Sequence, residues 1–290
     1  MSRRGALLFA AMCVIWGIPY LMIRVAVREL APVTLVFLRT AIAAVLLLPF
    51  AAWRGDLRPL LRYAGPFVAY TLVEVAVPWV LLARAETRLT SSLTGLLVAA
   101  VPLVGAVVVA MTGARERQGQ RRWLGLLVGI LGVAALVGLD VGQVNALAVV
   151  EVGGVAVCYA IGPIILSRRL ADVPALGVVA ASLLITAVVY LPFAVASRPT
   201  AMPSRHVLES VIGLAVVCTA LAFLVFFALI GEVGPVRATV ITYVNPAVAA
   251  LLGVTILDER LSVGMLVGFA LILAGCVLAT GKGPEPVPEP

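Results

Sequence analysis

The sequence predicts an all-α polytopic membrane protein, with ten transmembrane helices arranged as two inverted five-helix repeats. A set of three observations leads there. Hydrophobic residues make up 63% of the 290 and charged residues only 12%, against rough averages of about 45–50% and 25% in soluble domains. Apolar runs of about 17–25 residues, enough to cross a bilayer core, recur along the whole chain. Finally, "AAVPLVGAVVVAMTGARER" (Ala99–Arg117) has the same layout as "YVNPAVAALLGVTILDER" (Tyr243–Arg260): a proline near the start of an apolar run, and charges at its end.

In chain order the expected spans are Ala6–Ala26, Val33–Trp53, Gly65–Ala83, Thr90–Thr112, Trp123–Leu139, Ala146–Leu166, Ala175–Ala196, Val207–Leu229, Val236–Leu257 and Ser262–Thr280. Helices are expected because lipid offers no partners to backbone polar groups, and the ten-residue dyad alternation of a barrel strand is missing. The opening "MSRRGALLFAAMCVIWGIPYL" has the arginines and apolar core of a signal peptide. That core runs on to about Ala26 and further spans follow, so a retained first helix is expected. The repeats are residues 1–144 and 145–281, and the Pro- and Glu-rich residues 282–290 are expected to form a disordered cytoplasmic tail.

Charge points to membrane orientation. Twenty of the 21 basic residues are arginines, mostly in short breaks between apolar runs, so the net +7 does not form the continuous basic face of a nucleic-acid binder. With the N-terminus inside, thirteen basic residues fall in cytoplasmic segments and seven outside, with Arg39 inside a span. The excess favours both termini on the cytoplasmic side of the membrane of a multi-pass protein.

Catalytic and metal chemistry find no support. Cys13, Cys158, Cys218 and Cys276 lie in four different apolar runs without ligand spacing, and His206 is a lone histidine near an outer loop. A GxxxxGK[ST] loop for direct ATP use is missing. No catalytic residue, metal or cofactor is expected.

The repeat carries the functional reading. An offset of 143 places Trp16 on Tyr159, Leu48-Pro49-Phe50 on Leu191-Pro192-Phe193, Glu116-Arg117 on Glu259-Arg260, and Gly125 and Gly132 on Gly268 and Gly275. Pro102 and Pro246 differ by 144, and Pro19 and Pro163 likewise. An odd number of spans per repeat inverts the second copy, which is a recurring plan of secondary transporters. Each of Pro19, Pro102, Pro163 and Pro246 lacks an N–H and crowds the preceding turn, so helix kinks with freed carbonyls are expected there. Glu116 and Glu259 are expected to favour the positive ends of the fifth and tenth helices. The pairs Gly125/Gly129 and Gly264/Gly268 permit close helix approach, within one chain or in a homodimer.

These landmarks resemble EamA-type members of the drug/metabolite transporter superfamily. The residues that carry the resemblance are "WGIPY" (Trp16–Tyr20), "APVTLVFLR" with Pro32 and Arg39, and "YVNPAVAALLGVTILDER" followed by "GMLVGFALILAG" (Gly264–Gly275). The resemblance implies a ten-helix exporter of small metabolites or drugs, with a central cavity walled by helices one, three, four, six, eight and nine. The second half departs from the pattern of helix two, since Arg39 aligns with Ser182 and Pro32 with Ala175.

Polar groups at mid-membrane depth mark the expected substrate pathway: Trp16, Tyr20, Tyr70, Glu74, Tyr159, Tyr243 and Asn245. The alternative for each is helix packing with an internal hydrogen bond. Glu74 and Arg39 are the intramembrane charges, and a buried acid must be paired, here with Arg39, or protonated for part of the time. A pair would be structural, whereas an unpaired Glu74 would be a proton carrier or substrate contact. The expected function is secondary active transport of a small, amino-acid-like metabolite or drug. A passive channel or scaffold is the alternative, and a membrane-embedded enzyme is a weaker one. Expected partners are that small molecule, membrane lipids and a coupled proton, with no nucleic acid and a monomeric or homodimeric protein.

Overall fold

The structure, a computed structural model, describes residues 2–111, 120–138 and 145–280. Ten helical segments follow among the described residues, nine of them long and apolar enough to cross a membrane and one, α9, shorter: α1 (Arg3–Ala26), α2 (Pro32–Trp53), α3 (Arg58–Ala85), α4 (Ser91–Val98 and Val101–Met111), α5 (Gln120–Gly138), α6 (Ala146–Arg169), α7 (Ala175–Ala196), α8 (Arg205–Val233), α9 (Pro235–Ala238 and Ile241–Leu257) and α10 (Val263–Thr280). No strand occurs among the described residues. Helix starts are written locally. Ser2 and Asn145 accept from Gly5 N and Ala148 N at 2.9 and 3.0 Å, and Pro32 opens α2, where its missing N–H costs nothing.

Helix α5 packs along α10, α2 along α7 and α4 along α9, while α3 lies on α6 and α1 on α8. The α5–α10 seam is the closest. A Cβ at Gly132 would come within 2.8 Å of the Gly268 carbonyl oxygen, and one at Gly268 within 2.7 Å of that of Gly132. Both glycine rows therefore meet inside one chain. The α2–α7 seam is built from Ala43, Ala44, Ala180 and Leu183, all buried, whereas Val45 and Val188 on the opposite sides of the same helices face outward. Small residues inside and branched aliphatics outside are what a bundle in lipid requires.

Crossing nine begins differently from the expectation. It was placed at Val236–Leu257, but a turn at Thr239–Val240 separates a short helix from the continuous Ile241–Leu257. Helix breaks also divide the prolines. Helix α1 is interrupted at Trp16–Gly17, ahead of Pro19, and α4 at Ala99–Ala100, ahead of Pro102. Pro163 and Pro246 instead sit inside α-helices that continue through them. Glu116, Arg117, Leu139 and residues 282–290 lie outside the described residues.

Candidate functional site

Two crossings loosen into π-helix at matching places: Thr71–Ala76 in α3 and Val216–Leu221 in α8. Their causes differ. In α3, Pro78 cannot donate the N–H that would close onto the Glu74 carbonyl. In α8, the Thr219 hydroxyl donates to the Leu214 carbonyl five residues back, at 2.7 Å. Such bulges turn side chains out of normal helical register and gather at functional sites.

Glu74 stands in the first bulge. Its Oε2 atom is buried and has no hydrogen-bond partner, and it faces Gly162 of α6, where any Cβ would run into the carboxylate. Arg39 takes other partners. Its Nε donates to Thr219 Oγ1 in the second bulge at 2.9 Å, and its guanidinium lies 3.7 Å from the centre of the Trp79 ring. No ion pair joins Arg39 to Glu74 among the described residues. Of the two arrangements open to Glu74, the structure adopts the unpaired one. Buried Tyr20 lies in the same core as Trp79, and partly buried Tyr159 packs against that core. Tyr20, Arg39, Glu74, Trp79, Tyr159 and Thr219 thus form a polar lining inside an apolar bundle.

Other sequence-selected residues lie elsewhere. Trp16 stacks in an aromatic group with Phe226 at 4.7 Å and Phe223 at 6.1 Å. The Asn245 amide nitrogen donates to the carbonyls of Cys13 at 3.1 Å and Ile241 at 3.0 Å, so it fastens α9 to the interrupted α1. Tyr70 is buried in a separate apolar cluster with Leu60, Phe67 and Leu170. Tyr243 is not at mid-membrane depth, because its helix begins only at Ile241, and its hydroxyl meets Thr280 at the end of α10, 3.3 Å away. A cavity of about 340 Å³ lies between α4, α5, α6 and α10. It uses Ala160 and Ile164, two residues either side of Gly162, and so opens on a different face of α6 from Glu74.

Acids outside the expected substrate pathway hold structural partners. They lie on the face opposite the two chain ends, here called the far face. Glu151, near the start of α6, is only 6% exposed and binds Arg84 Nε at 2.8 Å and Arg88 at 3.0 Å. Glu259 was expected to serve the start of α10. It serves the start of α4 instead, accepting from Ser91 N at 2.8 Å, Ser92 N at 2.9 Å and Ser92 Oγ at 2.6 Å, with Ser91 Oγ at 3.1 Å. The left-handed Asp258 (φ 54°) turns the chain back, and Gly253 leaves room for the returning carboxylate. Glu29 adds a third link, accepting from Ser204 N at 2.7 Å, and the Ser204 hydroxyl together with that N–H holds its carboxyl below the usual range. Each link joins the first half of the chain to the second.

The sequence pattern of the EamA-like transporter family matches residues 3–138 and again residues 148–281. The chain belongs to the EamA-like transporter family. It is similar to the "Uncharacterized inner membrane transporter YedA" of Escherichia coli strain K12, with 30% identity over 93% of this chain and 88% of that protein. It is also similar to the "Uncharacterized transporter YvbV" of Bacillus subtilis strain 168, with 25% identity over 97% and 93% of the two chains. A solved structure titled "Crystal structure of protein" shares the fold at a TM-score of 0.66, with 22% identity, covering 95% of this chain and 96% of the other. As an EamA-like protein, the chain is a polytopic membrane transporter, built on the helices described above.

Proposed function

We propose that this EamA-like protein is a secondary active transporter of the inner membrane. It would export a small amino-acid-like metabolite or drug by alternating access, with both termini cytoplasmic and Glu74 carrying the coupled proton. The unpaired Glu74 carries this reading. A carboxylate at mid-membrane depth costs about 2.5–3.5 kcal/mol on insertion scales, and here no cation within ion-pair distance offsets that cost among the described residues. A proton does offset it. The surrounding hydroxyls and the Arg39 guanidinium supply the few polar groups that orient a small molecule in an apolar site.

Alternation is supported by the way the helices pair. Exchanging each crossing with the one five places on maps α1–α8 onto α6–α3 and α1–α9 onto α6–α4, and leaves α2–α7, α4–α9 and α5–α10 unchanged. That pairing fits two halves related by an axis in the membrane plane, and the family pattern matches each half separately. The relatives' printed names point to the same membrane and to transport.

The test is Glu74→Gln in proteoliposomes carrying a transported amino acid or drug. Loss of proton-driven accumulation with retained substrate exchange is the expected result. Undiminished gradient-driven accumulation by the variant removes Glu74 from coupling.

A further inference from the structure

A second acid stands out on the far face. Glu86 follows α3 directly and is 0% exposed, and neither of its carboxyl oxygens has a hydrogen-bond partner. Its backbone is fixed, because Arg24 of α1 donates to the Glu86 carbonyl. The charged and titratable groups facing the carboxyl are Arg24 and Tyr20 from α1, Arg39 from α2 and Glu259 from the turn after α9. Neither arginine is within ion-pair distance of it. Arg39 is engaged with Thr219 and Trp79, while Glu259 accepts from four donors at the start of α4.

We infer that Glu86 is a proton-binding site of the closed far face, loaded while that face is shut and discharged to the far side as it opens. The inference rests on alternating access, but not on Glu74 or on any particular substrate. Its physical basis is desolvation. An ionised carboxylate buried without a donor is costly, and the carboxylate of Glu259 nearby adds like-charge repulsion. Burial accordingly pushes Glu86 well above the usual carboxylate range. Opening the seam formed by Ser91, Ser92 and Glu259 would admit water to Glu86, and the proton would then leave. The site suits a proton better than a metal ion, because two arginines face it and no cluster of three possible ligands occurs among the described residues.

The linkage has a definite sign. The closed form binds the extra proton, so raising pH favours the open form, by up to about tenfold per pH unit for one proton. The experiment uses the full chain in lipid nanodiscs without substrate. A cysteine at buried Leu89 reports far-face opening through its reaction with a membrane-impermeant maleimide. Infrared difference spectroscopy follows the protonated carboxyl stretch. In the parent protein, labelling, divided at each pH by that of a solvent-exposed cysteine to remove the thiol's own ionisation, should accelerate as pH rises, and an acid band should be lost over the same range. Glu86→Gln should remove that band and flatten the labelling profile, Glu86→Asp should retain both, and Glu74→Gln should leave the labelling profile intact. The inference is overturned if Glu86→Gln keeps the band, or keeps the same pH dependence of labelling. It is overturned equally if Glu86→Asp behaves as Glu86→Gln does. Failure of transport in Glu74→Gln alone bears on the coupling acid and leaves this result unaffected.

Discussion

The two faces of the molecule carry different bonds between the halves among the described residues. On the far face, Glu151 and Glu259 tie the halves together through two arginines and four donors at the start of α4. On the face carrying the chain ends, the described ion pair between halves is Arg4–Glu232 at 3.3 Å, with the Arg4 side chain 74% exposed. Sequence explains why the far-face devices are not mirrored. At the repeat offset the glutamate of the clasp has its counterpart in Glu116, but Ser91 and Ser92 correspond to the stretch Gly234-Pro235-Val236, which has no hydroxyl and lacks one N–H. Glu151 corresponds to Leu8, and Arg84 to Phe227. Among the described residues, the stronger bonds between the halves lie on the far face. We therefore expect the far-closed form to be the resting one.

The strongest way to break this comparison is Glu259→Ala. It strands two N–H groups of a helix start and two buried hydroxyls, at a cost of about 3 kcal/mol or more. Maleimide labelling at a cysteine replacing Leu89 should rise by about a hundredfold or more, and an unchanged rate would mean that the clasp does not hold the face shut. Glu151→Gln should do less. Its carboxylate is buried, but the Arg84 side chain is 50% exposed, so solvent screening reduces the loss to about 1–2 kcal/mol. Labelling about tenfold faster is expected, and a change as large as that of Glu259→Ala would reverse the ranking of the two links. Arg4→Ala sharpens the contrast from the other side. An exposed pair contributes little, so labelling on either face should move by less than about twofold. A larger shift would show that the terminal face holds itself shut electrostatically too.

Much of this was legible in the residues. Lipid enforces helices of a fixed minimum length, so ten apolar runs could be read as ten crossings, and the glycine rows of α5 and α10 announced close packing. Glu74 was conspicuous because an acid stands out in the apolar run "YTLVEVAVPWV". Glu86 and Glu151 were not, because a loop acid and an acid near a span end look like ordinary solvated charges until the fold covers them. The π-stretches left only a partial trace. Pro78 could have signalled the first, whereas nothing in "VVCTAL" sets Val216–Leu221 apart from regular helix. Tyr243 was misplaced in depth because hydropathy does not see the turn at Thr239–Val240.

The sequence by itself determined that this chain crosses the membrane many times and which landmarks recur along it, because those follow from backbone hydrogen bonding in lipid and from matches visible along one dimension. Tertiary structure alone decided which partners the charges take. Arg39 went to Thr219 and Trp79 and left Glu74 unpaired, and Glu259 turned through a left-handed residue to cap α4, not α10. Such choices depend on distances of a few ångströms between helices far apart in the chain. Electrostatic and hydrogen-bond energies change sharply over that range, and hydropathy carries no information about it.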